Sequence, residues 1–151
     1  MTESKPARAS FYIPGSDADI ELVICRILDK AWSQGHRIWA ASADPETLAR
    51  LDRRLWTFRA GSFLPHERAE TWSGGDAGEL PRAPVWLGPA PPPWRTDLIV
   101  ALHGVDPTVC ADYERIVEIV PPDPAGRAAS RARARDYKRL GVELAYHQLT
   151  S

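Results

Sequence analysis

Cysteine is scarce in this chain of 151 residues: there are two, Cys25 and Cys110, and neither has a CxxC spacing. Cys25 falls among apolar residues of a predicted helix, so it reads as a buried free thiol. Histidine clusters are missing as well. His36, His66, His103 and His147 are scattered, none at helical spacing from another ligand, which argues against zinc. No window approaches the roughly 18 apolar residues of a membrane span, and the N-terminus lacks the apolar core of a signal peptide. A reduced, cytoplasmic chain without membrane contact is expected. Charge of either sign is not in excess: 19 Lys and Arg face 20 Asp and Glu, a formal net charge of −1. Global charge therefore says nothing about nucleic acid, and only local clusters can.

What is present fits one domain over 1–151, with 44% hydrophobic residues to build its core. Six tryptophans are many for this length and suggest either a dense core or exposed binding anchors. Residues 1–9 are polar and expected to be loose, and 10–13 read as a strand. Pro14-Gly15 ends that strand, and Ser16 or Asp17 is the expected cap of the next helix. Ile20, Val23, Ile24, Ile27, Leu28, Ala31 and Trp32 then repeat at helical spacing, with Gly35 as the stop. A buried strand is expected over 37–41, and Asp44-Pro45 opens a second helix with Leu48, Leu51 and Leu55 on its core face.

The stretch 67–95 reads as an irregular, proline-rich loop region, with 63–66 and 85–87 as possible short strands. The apolar run 97–103 (DLIVALH) reads as a central strand and 115–120 as another. An Ala- and Arg-rich helix is predicted over 125–140, then a last strand in which Val142, Leu144 and Tyr146 alternate. Strand and helix alternate, so the expected fold is α/β, a largely parallel central sheet flanked by helices.

Such sheets often bind nucleotides at their strand ends. The first strand-to-helix turn, Pro14-Gly15-Ser16-Asp17-Ala18-Asp19, has one glycine and two carboxylates, so it makes a poor phosphate cradle. No cofactor is expected. No nucleophile motif such as GxSxG appears. Asp97 and His103 can be posed as an acid–base pair, but a cap or loop hydrogen bond explains them more simply. Catalysis is unsupported. Two surface features remain. Arg127, Arg131 and Arg135 repeat every fourth residue with Lys138 one turn on, and Arg133 and Arg139 add charge nearby. That ridge suits an extended acidic peptide or a phosphate chain, although a solvated helix face is the bland alternative. Trp56 and Phe63 flank the end of a helix and the following loop, where aromatics serve as interface anchors, or pack in the core.

The segment Leu51-Asp52-Arg53-Arg54-Leu55-Trp56, followed by Ser62-Phe63-Leu64-Pro65-His66, resembles the DNA polymerase III chi subunit family, which carries LD-x-x-LW and then SF-x-PH at this spacing. Phe11-Tyr12, Ala31-Trp32, Gly35, Arg37 and Asp97-Leu98-Ile99 extend the likeness, and 117–121 and 137–144 match more loosely. The resemblance implies a Rossmann-like fold without a nucleotide site, and no catalysis in this chain. It implies an accessory role in the clamp-loader complex of the polymerase holoenzyme during DNA replication. One partner would be the psi subunit. Another would be the acidic C-terminal tail of single-stranded DNA-binding protein, which ends in proline and phenylalanine, so that single-stranded DNA is met only indirectly. A DNA repair helicase is the implied alternative user of the psi surface. Carried over residue by residue, Trp56, Phe63, Pro65 and His66 fall on the psi or helicase surface. Val120, Arg127, Arg131, Arg135 and Lys138 fall on the tail site. Many members place an aromatic residue where this chain has Ala134, and Tyr137 is the candidate replacement. In the expected arrangement Val120 lines a pocket for the terminal ring. Arg131 or Arg135 grips the α-carboxylate, and Arg127 and Lys138 steer the aspartates.

Overall fold

The alternation predicted for the first fifty residues is what the chain builds. In a computed structural model, which describes residues 7–58, 64–69 and 84–149, strand β1 (Arg8–Ile13) leads into helix α1 (Ile20–Ser33). The strand begins at Arg8, inside the stretch expected to be loose, because Arg8 and Ala9 pair with strands on both sides. The cap of α1 is Asp19 and not Ser16 or Asp17: its carboxylate accepts the Leu22 N–H at 3.2 Å. Gly35 follows the helix at φ 87°, the left-handed conformation that ends it without a Cβ clash. Strand β2 (Ile38–Ser42) and helix α2 (Pro45–Thr57) come next, with Asp44 capping α2 and Leu48, Leu51 and Leu55 buried as expected.

The middle of the chain is more regular than its prolines suggest. The short strand β3 (His66–Arg68) and the fully buried β4 (Val85–Gly88) fall in it. Strand β5 (Leu98–His103), the four-residue helix α3 (Pro107–Cys110), strand β6 (Arg115–Ile119), helix α4 (Pro124–Arg139) and strand β7 (Glu143–Gln148) complete the described part. Helix α3 has no periodic sequence signal; Asp106-Pro107 caps one turn of it. The strands form one sheet in the order β3-β4-β2-β5-β6-β1-β7, and every pairing is parallel. The apolar run of β5 lies at the centre of the seven, where both faces must be covered.

Successive side chains of a strand point to opposite faces, and each face is packed by one pair of helices. Ile38, Ala40, Val85, Leu87, Leu98 and Val100 form one core with α1 and α2, and buried Cys25 belongs to it as a free thiol. Trp39, Ala41, Trp86, Ile99 and Ala101 form the other core with Cys110 of α3 and Ala134 and Tyr137 of α4. Each fully buried large side chain contributes about 1.5–3 kcal/mol.

Helix α4 buries little apolar area of its own, since its buried residues are Ser130, Ala134 and Tyr137. A polar cluster fixes its rotation instead. The Glu118 carboxylate of β6, 3% exposed, accepts Nε–H of Arg133 at 3.0 Å, a second Arg133 donor at 2.7 Å and the Tyr137 hydroxyl at 2.5 Å. Arg133 also donates to the Val105 carbonyl, which leads into α3. Burial lowers the Arg133 pKa, but the hydrogen bonds and charge of Glu118 outweigh it and raise the net value. Burial pushes the Tyr137 phenol up, and the neighbouring Glu118 carboxylate pushes it further.

Arg133→Ala should cost about 3 kcal/mol in urea unfolding, because it strands a buried carboxylate. The double change Glu118→Leu with Arg133→Met should recover most of that loss. A variant pair of equal stability would show that the cluster does not hold α4. Tyr137→Phe should cost about 1 kcal/mol at neutral pH. Folding raises the phenol's pKa, so its contribution is complete below the ordinary tyrosine value of about 10 and falls away above it. The gap between parent and Tyr137→Phe should therefore narrow as unfolding is repeated at rising alkaline pH.

Candidate functional site

The turn at which a nucleotide's phosphate would sit carries the chain's own carboxylates. A small cavity of about 360 Å³ lies over the turn between β1 and α1, lined by Gly15, Asp17, Asp19 and Arg26 among others. The Leu22 amide, which a phosphate would use, is bonded to Asp19. Asp19 also pairs with Arg54 of α2, and that hydrogen bond, then the Leu22 amide, holds its carboxyl below the usual range. Asp97 and His103 do not meet as a pair: Asp97 accepts the Arg37 N–H at 2.7 Å and contacts His36 at 2.9 Å. Among the described residues no group of three His, Cys, Asp or Glu is placed to hold a metal ion.

The basic ridge forms on α4. Asp123 caps the helix by accepting the Gly126 N–H at 2.8 Å, and Pro124 opens its first turn. Pro121 lies against Gly126 so closely that a Cβ there would stand 2.5 Å from the proline ring's Cβ. This contact fixes the path from β6 into the helix. Arg133 points inward, and residues two positions away lie about 200° round the helix. Arg131 and Arg135 are those residues, and they are exposed together with Arg127 and Lys138. Arg127, Arg131, Arg135 and Lys138 make no ion pair among the described residues. Val120 is half-buried against the α4-side core, and its N–H is held by the Tyr12 carbonyl at 2.9 Å.

Two expected roles change. Tyr137 is 0% exposed, with its ring edge-on to Phe11 and its hydroxyl committed to Glu118, so it does not replace the missing surface aromatic at Ala134. Ala134 is itself buried. Arg133 is an internal anchor and adds no charge to the ridge. An aromatic residue does flank α4, and it was missed: Tyr146 of β7 is 58% exposed and stacks on Phe11 at 5.5 Å. The alternation of Leu144 and Tyr146 carried the signal for its face, but only the edge position of β7 shows that it is uncovered.

The aromatic surface lies at the other end of the sheet. Trp56, at the end of α2, is 59% exposed and packs edge-on to His66 at 5.3 Å. The His66 side chain is buried, with Nδ1 2.8 Å from the Leu64 carbonyl and Nε2 2.8 Å from Asp52 of α2. Its ring therefore ties β3 to α2 and supports Trp56. Pro65 is half-buried beside it. Phe63 lies outside the described residues.

Comparison with known proteins agrees with the motif likeness. The family model for the DNA polymerase III chi subunit, HolC, matches residues 7–145. DNA polymerase III subunit chi of Pseudomonas aeruginosa is 38% identical over 145 residues, covering 94% of this chain and 96% of that protein. The subunit of the same name from Escherichia coli K12 is 28% identical, covering 90% of this chain and 94% of that protein. That from Haemophilus influenzae is 26% identical, covering 89% and 90%. Both the matched length and the level of identity show that this chain belongs to the DNA polymerase III chi subunit family, accessory subunits of a replicative polymerase.

Proposed function

We propose that this chain is a non-catalytic bridge within the clamp-loader complex, holding the psi subunit at one end and the acidic C-terminal tail of single-stranded DNA-binding protein at the other. The observation that carries the reading is the outward set of Arg127, Arg131, Arg135 and Lys138, aimed by the internal anchor Arg133. A guanidinium presents paired N–H donors that match a terminal carboxylate, and the other cations then face the aspartates before it. Val120, with Tyr146 on the far side of α4, supplies apolar surface for a terminal ring.

The psi subunit is assigned to Trp56 and Pro65, with Phe63 two residues before Pro65 in the sequence and His66 as the support beneath. Large exposed aromatics are the usual anchors of protein interfaces. This surface is at the β3 edge, whereas α4 packs beside β7. Six strand steps of about 4.8 Å separate the edges, roughly 29 Å, so both partners fit at once. Exposed ion pairs contribute only about 0.2–1 kcal/mol each, so single-tail affinity is modest. Many tails on one coated strand multiply it.

Anisotropy titration with a labelled acidic peptide ending in Pro-Phe tests the tail site. Arg131→Ala or Arg135→Ala should weaken binding about tenfold or more, and amidation of the peptide's terminus should do the same. Rising salt should weaken the parent's binding steadily. Parent-like binding by both variants would remove the ridge from consideration. Trp56→Ala should abolish copurification with psi and leave the tail titration unchanged. Loss of both together would indicate misfolding and not an interface.

A further inference from the structure

A third surface lies on the face of the sheet opposite α4. Helices α1 and α2 cover β2, β4 and β5 there, and Val117 of β6 is buried beneath α1. Strands β1 and β7 continue beyond them, and among the described residues no helix lies over them on that side. On the α4 side β1 buries Ala9 and Phe11 fully. On the α1 side the same strand shows Ser10 and Tyr12, half-exposed, and β7 shows Ala145 and His147. Parallel sheets are as a rule covered on both faces, and among the described residues one end of one layer is open. The gap is a groove of about 1040 Å³ between α1 and the sheet.

Its walls have a definite chemistry. Val23, Ile27 and Ala31 of α1 and Val117 of β6 give it an apolar floor. Arg26 and Lys30 stand four residues apart on the α1 rim, and Arg115 stands at the strand ends. None of these three cations has an ion-pair partner among the described residues, while Arg8 is matched by Glu143 at 3.4 Å. Glu114 is the one other carboxylate in the lining. The rim is therefore basic on a chain whose formal net charge is −1. The Tyr12 and His147 rings are stacked on each other at 4.8 Å, which takes up the ring faces a nucleic-acid base would use.

We propose that this groove receives an acidic amphipathic helix of a partner protein, completing the missing helical layer. The helix lays an apolar stripe on Val23, Ile27 and Val117 and sets carboxylates against Arg26, Lys30 and Arg115. A helix is about 10 Å across, so the groove has room for on the order of two turns. The site is separate from the α4 ridge, on the other side of the sheet, and does not depend on the tail reading.

The test uses the full chain and a synthetic helical peptide with leucines on one stripe and glutamates elsewhere. A scrambled peptide of equal composition, an oligothymidylate and the Pro-Phe tail peptide serve as comparisons. The patterned peptide should bind about tenfold more tightly than the scrambled one and shift amide resonances of Val23, Ile27, Ala145 and His147. Arg26→Glu with Lys30→Glu, both at exposed positions, should reduce that binding about tenfold or more. The same double variant should keep parental tail binding, and Arg131→Ala should keep parental binding of the patterned peptide. The proposal is overturned by equal binding of the scrambled peptide, or by resonance shifts on α4 alone. It is equally overturned by oligothymidylate shifting the groove residues instead, by self-association through this face, or by loss of tail binding in the double variant.

Discussion

The buried contact of Glu118 with Arg133 and Tyr137 decides what this molecule presents to its surroundings. A helix whose buried residues are a serine, an alanine and one tyrosine has too little apolar area to fix its rotation by packing alone. Glu118 supplies direction where hydrophobic burial supplies only attraction. Two anchor residues four apart on one helix face meet a single carboxylate on the strand below. Turning α4 by one residue would leave that carboxylate buried and unpaired, at a cost of several kcal/mol. The outward set of arginines is the consequence, since what faces inward fixes what faces out. The cluster thus belongs to binding as much as to stability, although none of its members touches solvent freely.

The sheet turns that local constraint into a long-range one. A parallel sheet of seven strands is stiff, and its edge strands β3 and β7 are held roughly 29 Å apart by backbone pairing. At one edge His66 joins β3 to α2 and backs Trp56. At the other, α4 lies against β7 beside Tyr146. Two proteins docked at these places stay at a set distance with no moving part between them. The proposed bridge would work by geometry, through a rigid sheet rather than a hinge.

Periodicity made the framework legible. Asp44-Pro45 with Leu48, Leu51 and Leu55 states a helix and its buried face, and 97–103 states a central strand. The four ridge cations were legible for the same reason, as one helix face. Charge type, however, does not state direction. Arg133 differs from Arg131 and Arg135 only in having Glu118 beneath it, and that partner is fifteen residues away. Tyr137 looked like a surface aromatic because its neighbours are arginines, yet its ring fills the space beside Phe11. Strand β4 was legible at 85–87 despite the prolines on either side, which break local pattern without preventing a short buried strand. The open side of β1 and β7 was illegible for another reason: it is a property of which helix is missing, and no residue encodes that alone.

The way this fold handles anions follows from its capping. All four helices of the described residues begin with an aspartate whose carboxylate accepts a backbone N–H of the first turn: Asp19, Asp44, Asp106 and Asp123. Helix N-termini are where α/β proteins ordinarily bind phosphates, through free amides and the positive end of the dipole. Here each carries a fixed carboxylate instead, which accepts a first-turn amide and repels a second anion. An acidic ligand is therefore better met by side chains: Arg127 stands in the first turn of α4, and Arg131, Arg135 and Lys138, without an ion pair among the described residues, stand on its middle and C-terminal turns. Side-chain cations in water attract over about a Debye length and are screened by salt, unlike a buried amide cradle. Recognition built this way is reversible and sums over many weak contacts, which suits the proposed contact with many tails on one coated strand.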